Sequence, residues 1–251
     1  MRKQSQLIIV FLVFFLLIPC CEARGFNQSL CKSEGYHCLK IKNSKQTWSS
    51  LWPDAYDRSI MMRVNRMNIQ LYPGLTLAVP NNLKTANIMD FAPFPLQIDP
   101  PQEKLIIFSP QKLAWGAYNS AGKLIRWGPA SGGADWCEDI GESCQTASGN
   151  YRIYSLGSSE CVSTKFPLPE GGAPMPYCMY FNEGQAFHGS PNGLAGYNAS
   201  HSCVRMYVND AEWMRYYFVE APSAYNNYRG TKVIIEDYYE HKLTNEDSLQ
   251  E

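Results

Sequence analysis

Histidine is scarce in this chain, four in 251 residues, so two of them close together call for an explanation. Excess charge of either sign is missing too. With 22 basic and 23 acidic residues the net charge is −1, which offers none of the basic surface that a nucleic-acid partner requires. There is no internal repeat and no low-complexity run, which argues against a solenoid or a disordered chain. The longest apolar run, LIIVFLVFFLLI, spans residues 7–18. It is shorter than the roughly 20 residues that cross a bilayer comfortably. What is present is a 45% hydrophobic composition with 13% aromatics, enough for one large or two small cores and suited to a β-rich chain.

The apolar run follows Arg2 and Lys3 and precedes Cys21-Glu22-Ala23. That order predicts an export signal over 1–23, cleaved after Ala23. A lipid anchor at Cys20 or Cys21 fits less well, because Pro19 and Cys20 stand where small residues are expected. Export sets how the other cysteines read. Seven remain after cleavage: Cys31, Cys38, Cys137, Cys144, Cys161, Cys178 and Cys203. In an oxidising compartment an odd set implies one free thiol. Spacing pairs Cys31 with Cys38 and Cys137 with Cys144 across short polar loops. Cys161 then pairs with Cys178 across a turn containing PLPEGGAPMP; counting alone makes Cys203 one of seven candidates for the free thiol, and the nearby histidines, His188 and His201, single it out.

Along the chain, residues 37–81 read as β-α-α-β. Trp48, Leu51 and Trp52 have helical spacing, Asp54 caps a second helix carrying Ile60, Met61, Val64 and Met67, and TLAVP closes as a strand. Residues 82–103 are Pro-rich and read as an extended linker or docking segment. From 104 to 237 the texture is β: KLIIFS, KLAWGAYN, KLIRWGPA, YRIYSL, the runs around PYCMYF and GQAFHG, and KVIIED. One helix is expected from an Asn209 cap, with Glu212 three residues on, to about Phe218. The polar end, 238–251, is expected to fray.

The stretch HGSPNGLAGYNASHSCVRM holds His188, His201 and Cys203. Three readings compete. As zinc ligands the three would need a fourth, and no Cys-x-x-Cys or His-x-x-x-His element lies nearby. As structural residues they would be a packed cysteine and two incidental histidines. As a catalytic pair, a histidine would take the proton of a thiol with a pKa near ~8.5 and hand it to a leaving amine. Backbone N–H groups in the segment Ser200-His201-Ser202-Cys203, ahead of the expected helix, would then face the oxyanion.

The His188-Gly189 and Ser200-His201-Ser202-Cys203 elements, with GGAPMPYCMYF and the opening KLIIFS…KLAWGAYN…GPASGG…TASGNYRI, resemble the YkuD-type L,D-transpeptidase catalytic domain over 104–237. KIKNSKQTWSSLW, RVNRMN and LYPGLTLAVP resemble a LysM peptidoglycan-binding module, and TWSSLWPDAYDR with MPYCMYF is similar to the enhanced-entry branch. The resemblance implies a mainly β, sandwich-like catalytic domain with a short helix after the cysteine, plus a small α+β module. It implies Cys203 as nucleophile, His188 as general base and His201 as a further site residue, with the N–H groups of His201, Ser202 and Cys203 as oxyanion hole. Met175, Tyr177, Gly189, Ser200 and Arg205 would contact substrate. The implied reaction attacks a peptidoglycan stem peptide through a thioester, without metal or organic cofactor, in the periplasm or cell envelope. A second stem, an envelope lipoprotein or a free D-amino acid would accept the acyl group. Water as acceptor would make the protein an L,D-carboxypeptidase, and a decayed site would leave a non-catalytic envelope-binding protein. One residue departs from the family's SHGC: Ser202 replaces glycine, at ~1–2 kcal/mol if the backbone there is left-handed.

Overall fold

The computed structural model describes residues 26–239. The expected signal over 1–23, with Cys20 and Cys21, lies outside them, as does the tail from 240 on. Among the described residues no helix is long and apolar enough to cross a membrane.

The first unit opens with a short helix, α1 (Phe26–Leu30), and continues in the expected order: β1 (Tyr36–Lys40), α2 (Trp48–Leu51), α3 (Ala55–Val64) and β2 (Thr76–Pro80). The strands pair antiparallel from Tyr36↔Pro80 to Lys40↔Thr76. Both helices begin at side-chain caps. Thr47 and Ser50 form a capping box, and the Asp54 carboxylate accepts from the N–H groups of Tyr56 and Asp57. Trp48, Trp52, Ile60, Met61, Val64 and Leu77 fill the small core between them.

The second unit is one sheet. Its strands are β3 (Leu105–Ser109), β4 (Ala114–Tyr118), β5 (Leu124–Ser131), β6 (Gly149–Arg152), β7 (Ser155–Leu156), β8 (Met179–Asn182), β9 (Gln185–Gly189), β10 (Val204–Met206) and β11 (Lys232–Ile235). Their order across the sheet is β6-β11-β3-β4-β5-β10-β9-β8-β7. The sandwich-like expectation is therefore refined: β5 pairs with β10, so the two layers are halves of one curled sheet. Residues of both halves share a core, among them Phe108, Trp115, Phe187 and Val233. The ends meet where Tyr151 packs on Phe181, ring centroids 5.5 Å apart.

Four expectations need correction. The helix after the cysteine, α4 (Val208–Trp213), is preceded by Tyr207 at the cap position, not Asn209, and it widens into a π-helical turn over Met214–Phe218. Moreover, α4 does not follow Cys203 directly, because β10 intervenes. Residues 82–103 are no free linker. Their 3₁₀ turn, Ile88–Phe91, offers the Ile88 carbonyl to Trp127 Nε1 at 3.0 Å, Pro95 accepts from the Tyr118 hydroxyl at 2.8 Å, and Phe94 is buried against Trp127. The start of the tail is also held. The Tyr238 hydroxyl donates to the Gly133 carbonyl and accepts from the Thr146 N–H, both at 3.0 Å.

The two units are joined by buried charge. Arg63 of α3 forks onto Asp210 of α4 at 2.8 and 2.9 Å, and Arg126 of β5 adds a bond at 2.7 Å. Removing one member of such a buried set typically costs about 3–5 kcal/mol, because the other charge is left unpaired. Only glycine fits at 128: a Cβ there would lie 2.5 Å from Asp210 Oδ2 and 2.6 Å from Arg63 Nη1. Arg66, its pKa brought down by burial to about 10, donates to the Lys112 carbonyl and lies over the Trp127 ring.

Candidate active site

The position of the site follows from one strand pairing. β9 and β10 run parallel, with Arg205 opposite His188 and Met206 opposite Gly189. Parallel neighbours need a long crossover, and residues 190–203 supply it as a loop. Because strand side chains alternate, Cys203 shares a face with Arg205 and therefore with His188. All three line one cleft of about 210 Å³, together with Met175, Ser200 and His201.

His188 is buried. Its Nδ1 lies 2.9 Å from the Gly189 carbonyl. A carbonyl only accepts, so Nδ1 carries the hydrogen and Nε2 keeps its lone pair. Burial pushes the imidazole pKa down to about 4, against the partly opposing Gly189 bond. The ring is thus neutral at ordinary pH. Burial likewise raises the Cys203 thiol, while the Ala186 backbone and Arg205 pull the other way. At rest the pair is thiol and imidazole, not thiolate and imidazolium. Besides the Ala186 backbone, the Cys203 Sγ has a long contact, 3.9 Å to the Gly184 carbonyl.

The turn before Cys203 is tightly determined. The Ser200 hydroxyl donates to the Cys203 carbonyl, the Ser200 N–H to the Gly132 carbonyl at 3.0 Å, and the Ser200 carbonyl accepts from the Ala134 N–H at 2.9 Å. Ser202 stands at φ 74°, the left-handed region that favours glycine. Gly133 packs beneath it, where a Cβ would fall 1.6 Å from the Cys144 carbonyl oxygen and 2.9 Å from the Ser202 Cα.

The rim comes from disulfide loops. The bridges are Cys31–Cys38, Cys137–Cys144 and Cys161–Cys178, and the free cysteine is Cys203. His201 joins two of these loops. Its Nε2 lies 2.9 Å from both oxygens of Asp139, in the 137–144 loop, and its ring stacks on Phe166 of the 161–178 loop at 4.2 Å. That bond holds the Asp139 carboxyl below its ordinary range. Those contacts hold His201 at the rim. Asp139 and Phe166 were not singled out from the sequence, which carries no local signal for a contact 62 residues away.

Two other expected contacts lie off the cleft. The Tyr177 hydroxyl bonds Glu212 at 3.1 Å and its ring meets Tyr216 edge-on. Gly189 is packed against Val208 and Pro176, and acts through its carbonyl on His188. As for zinc, the donor atoms that cluster are those of Cys137, Cys144 and His201. The two sulfurs are bonded to each other and offer no thiolate.

Against this geometry, the model of the YkuD L,D-transpeptidase catalytic domain matches residues 96–235. The chain belongs to the YkuD family. No curated protein matches it. Among solved structures it is similar to an L,D-transpeptidase from Xylanimonas cellulosilytica, with 20% identity over 71% of this chain and 78% of that one and a TM-score of 0.48. It is also similar to an L,D-transpeptidase from Mycobacterium smegmatis, with 18% identity over 54% and 59% and a TM-score of 0.42. A third is L,D-transpeptidase 3 from Mycobacterium tuberculosis in complex with a faropenem-derived adduct, 20% identical over 53% and 60%, TM-score 0.39. The YkuD match ends at the last residue of β11 and takes in every strand of the curled sheet. In this YkuD domain His188, Cys203 and Arg205 fall on the two adjacent parallel strands, or just before one of them.

Proposed function

We propose that the protein is a cysteine L,D-transpeptidase of peptidoglycan stem peptides. The observation that carries this reading is the β9–β10 register, which puts a buried neutral imidazole and the one cysteine that is free among the described residues on one face of one cleft. The Cys203 sulfur attacks the carbonyl between the diamino acid at position 3 of a stem and the D-residue at position 4. As the S–C bond forms, the thiol proton passes to His188 Nε2. Because burial disfavours both ions of the pair, that transfer belongs with bond formation and not before it. The C–N bond then breaks and His188 returns the proton to the leaving D-amino acid. An acceptor amine next attacks the thioester. It gives its proton to His188, and the proton passes on to the departing thiolate.

Support for the oxyanion hole comes from the N–H groups of His201, Ser202 and Cys203, which have no partner among the described residues. Arg205, half-buried in the cleft, has no carboxylate partner among the described residues, which suits a substrate carboxylate. His201 serves the site by holding its rim. The β-α-α-β order of the first unit supports a LysM-like module that holds the glycan strand, in an enzyme of the enhanced-entry branch. Three disulfides support export to an oxidising periplasm or envelope. The chemistry needs no cofactor.

The test is mass spectrometry of the folded protein with a carbapenem, followed by muropeptide analysis of sacculi incubated with it. A single adduct on Cys203 and 3→3 linked dimers are expected. Tripeptides without dimers would mean carboxypeptidase activity, and no adduct at all would mean a non-catalytic protein.

A further inference from the structure

A second groove, of about 470 Å³, lies beside the cleft and shares Ser190 and Pro191 with it. It runs along the seam between the units. One wall is α3 of the first unit, with Arg58 and Arg63; the other carries Arg126 and Asp210. Three guanidinium groups therefore face one carboxylate. Asp210 is already shared by Arg63 at 2.8 Å and Arg126 at 2.7 Å. Arg58 spends its Nη1 on neutral carbonyls, those of Trp52 at 2.8 Å and Pro53 at 2.9 Å. Asp54, which feels the Arg58 charge, caps α3 and is not in the groove. The groove is left with uncompensated positive charge in a concave setting, where its field is focused.

The groove is also fixed to the catalytic loop. Asn68 exchanges two bonds with Leu194, at 3.0 Å from its N–H and 2.7 Å to its side-chain oxygen, and Met67 bridges Ala195. The first unit thus holds the loop that leads from His188 to Cys203. We infer that this groove seats the acceptor stem peptide, with Arg58 and Arg126 taking one of its carboxylates. The inference rests on the transpeptidase reading. The cleft already holds a guanidinium with no carboxylate partner among the described residues, Arg205, beside the thiol. A separate cationic groove opening onto it fits the second acidic peptide that transfer to an amine requires and hydrolysis does not. Bound there, the acceptor brings its diamino side chain to the thioester. A C–N bond forms, the C–S bond breaks, and the amine proton passes through His188 to the Cys203 thiolate. The first unit then forms half of the acceptor subsite.

The experiment compares the two half-reactions in the full chain. Thioester formation with a stem tetrapeptide is followed by mass spectrometry, and transfer by the KM for a synthetic acceptor tetrapeptide. Arg58→Ala is expected to raise that KM about tenfold, the size of one charge-assisted hydrogen bond, with a far smaller effect on thioester formation. Arg58→Lys is expected to restore part of it. An acceptor with its stem carboxylates converted to carboxamides needs no variant: on the unaltered enzyme its KM is expected to rise similarly, and Arg58→Ala is expected to raise it no further. Equal KM values for the two acceptors, or a KM indifferent to Arg58→Ala, would overturn the inference while leaving the enzyme reading intact. If the unaltered protein forms no thioester, the enzyme reading falls and the inference with it.

Discussion

The cleft has a floor and a rim, and its two histidines divide between them. His188 belongs to the floor, on a buried strand, desolvated and fixed by its neighbour's carbonyl. His201 belongs to the rim, partly exposed, on a loop, held by a carboxylate and an aromatic ring from two separate disulfide loops. The sequence distance to Cys203 ranks them the wrong way round. His201 is two residues away and turned aside; His188 is fifteen away and shares the thiol's face through the strand register. In the proposed reaction the floor moves the protons and the rim holds the backbone of the thiol turn.

Substituting the floor is expected to have the largest effect. Cys203→Ala abolishes the carbapenem adduct and all turnover, since no other described cysteine is free. Its thiol makes only weak polar contacts, with the Ala186 backbone and with the Gly184 carbonyl at 3.9 Å, so the melting temperature changes little. A loss on the scale of a broken disulfide, ~2–5 kcal/mol, would show that the residue is bridged and would remove the nucleophile.

His188→Gln comes next, with acylation slowed about 10²–10⁴-fold, the range for a lost general base. It also predicts a stability signature. Burial brings the folded-state imidazole down to about 4, while the unfolded chain titrates near ~6.5. The unfolded state then binds more protons between these values, so the group's contribution is fully present above pH ~6.5 and is lost as pH falls towards 4. A difference of that size corresponds to about 3 kcal/mol. Denaturant titrations from pH 7 to 4 should show a shallower acid loss in His188→Gln. Equal slopes would mean that the histidine is solvated.

Much of the floor was legible beforehand. The alternating runs indicated the strands, the cysteine spacing suggested the three bridges, and the His188–Cys203 pair came with the resemblance to the YkuD domain. The arrangement that joins the pair was not. β10 is only three residues long, too short to show a period of two, and its parallel partner lies across the loop. The seam was equally hidden: Arg63 and Asp210 are 147 residues apart, and nothing in either neighbourhood marks a buried pair. The Asn209 cap failed because Tyr207 already begins α4, leaving Asn209 exposed inside its first turn. The Pro-rich segment was left between an extended linker and a docking segment, because its turn chemistry is visible in sequence while the shelter of Phe94 against Trp127 is not.

On the rim the effects shrink. Asp139→Asn keeps the shape but loses the charge facing His201. An exposed pair of this kind contributes little energy, so acylation is expected to slow about twofold to fivefold, with Asp139→Glu nearer the original rate. A fall as deep as that of His188→Gln would move His201 into the proton pathway and dissolve the contrast between rim and floor.

The smallest effect is expected at Ser202, and its sign is the informative part. At φ 74° a non-glycine residue carries a penalty of ~1–2 kcal/mol. Ser202→Gly removes it, but glycine also frees the unfolded chain, which returns about 0.4–1 kcal/mol. The balance is a gain of about 0.5–1 kcal/mol in the folded protein. The N–H that would face the oxyanion is unchanged, so the acylation rate should stay level or rise by about twofold. The neighbours constrain the outcome further: Gly133 lies directly beneath, and Ser200 holds the Cys203 carbonyl from the other side, so the turn keeps its course when the side chain is removed. Carbapenem acylation kinetics and a thermal melt of the same variant decide the matter. A tenfold fall in rate with stability raised would show that the hydroxyl itself takes part in the reaction. The departure from glycine would then be a functional feature of this chain, not a strain that the turn tolerates.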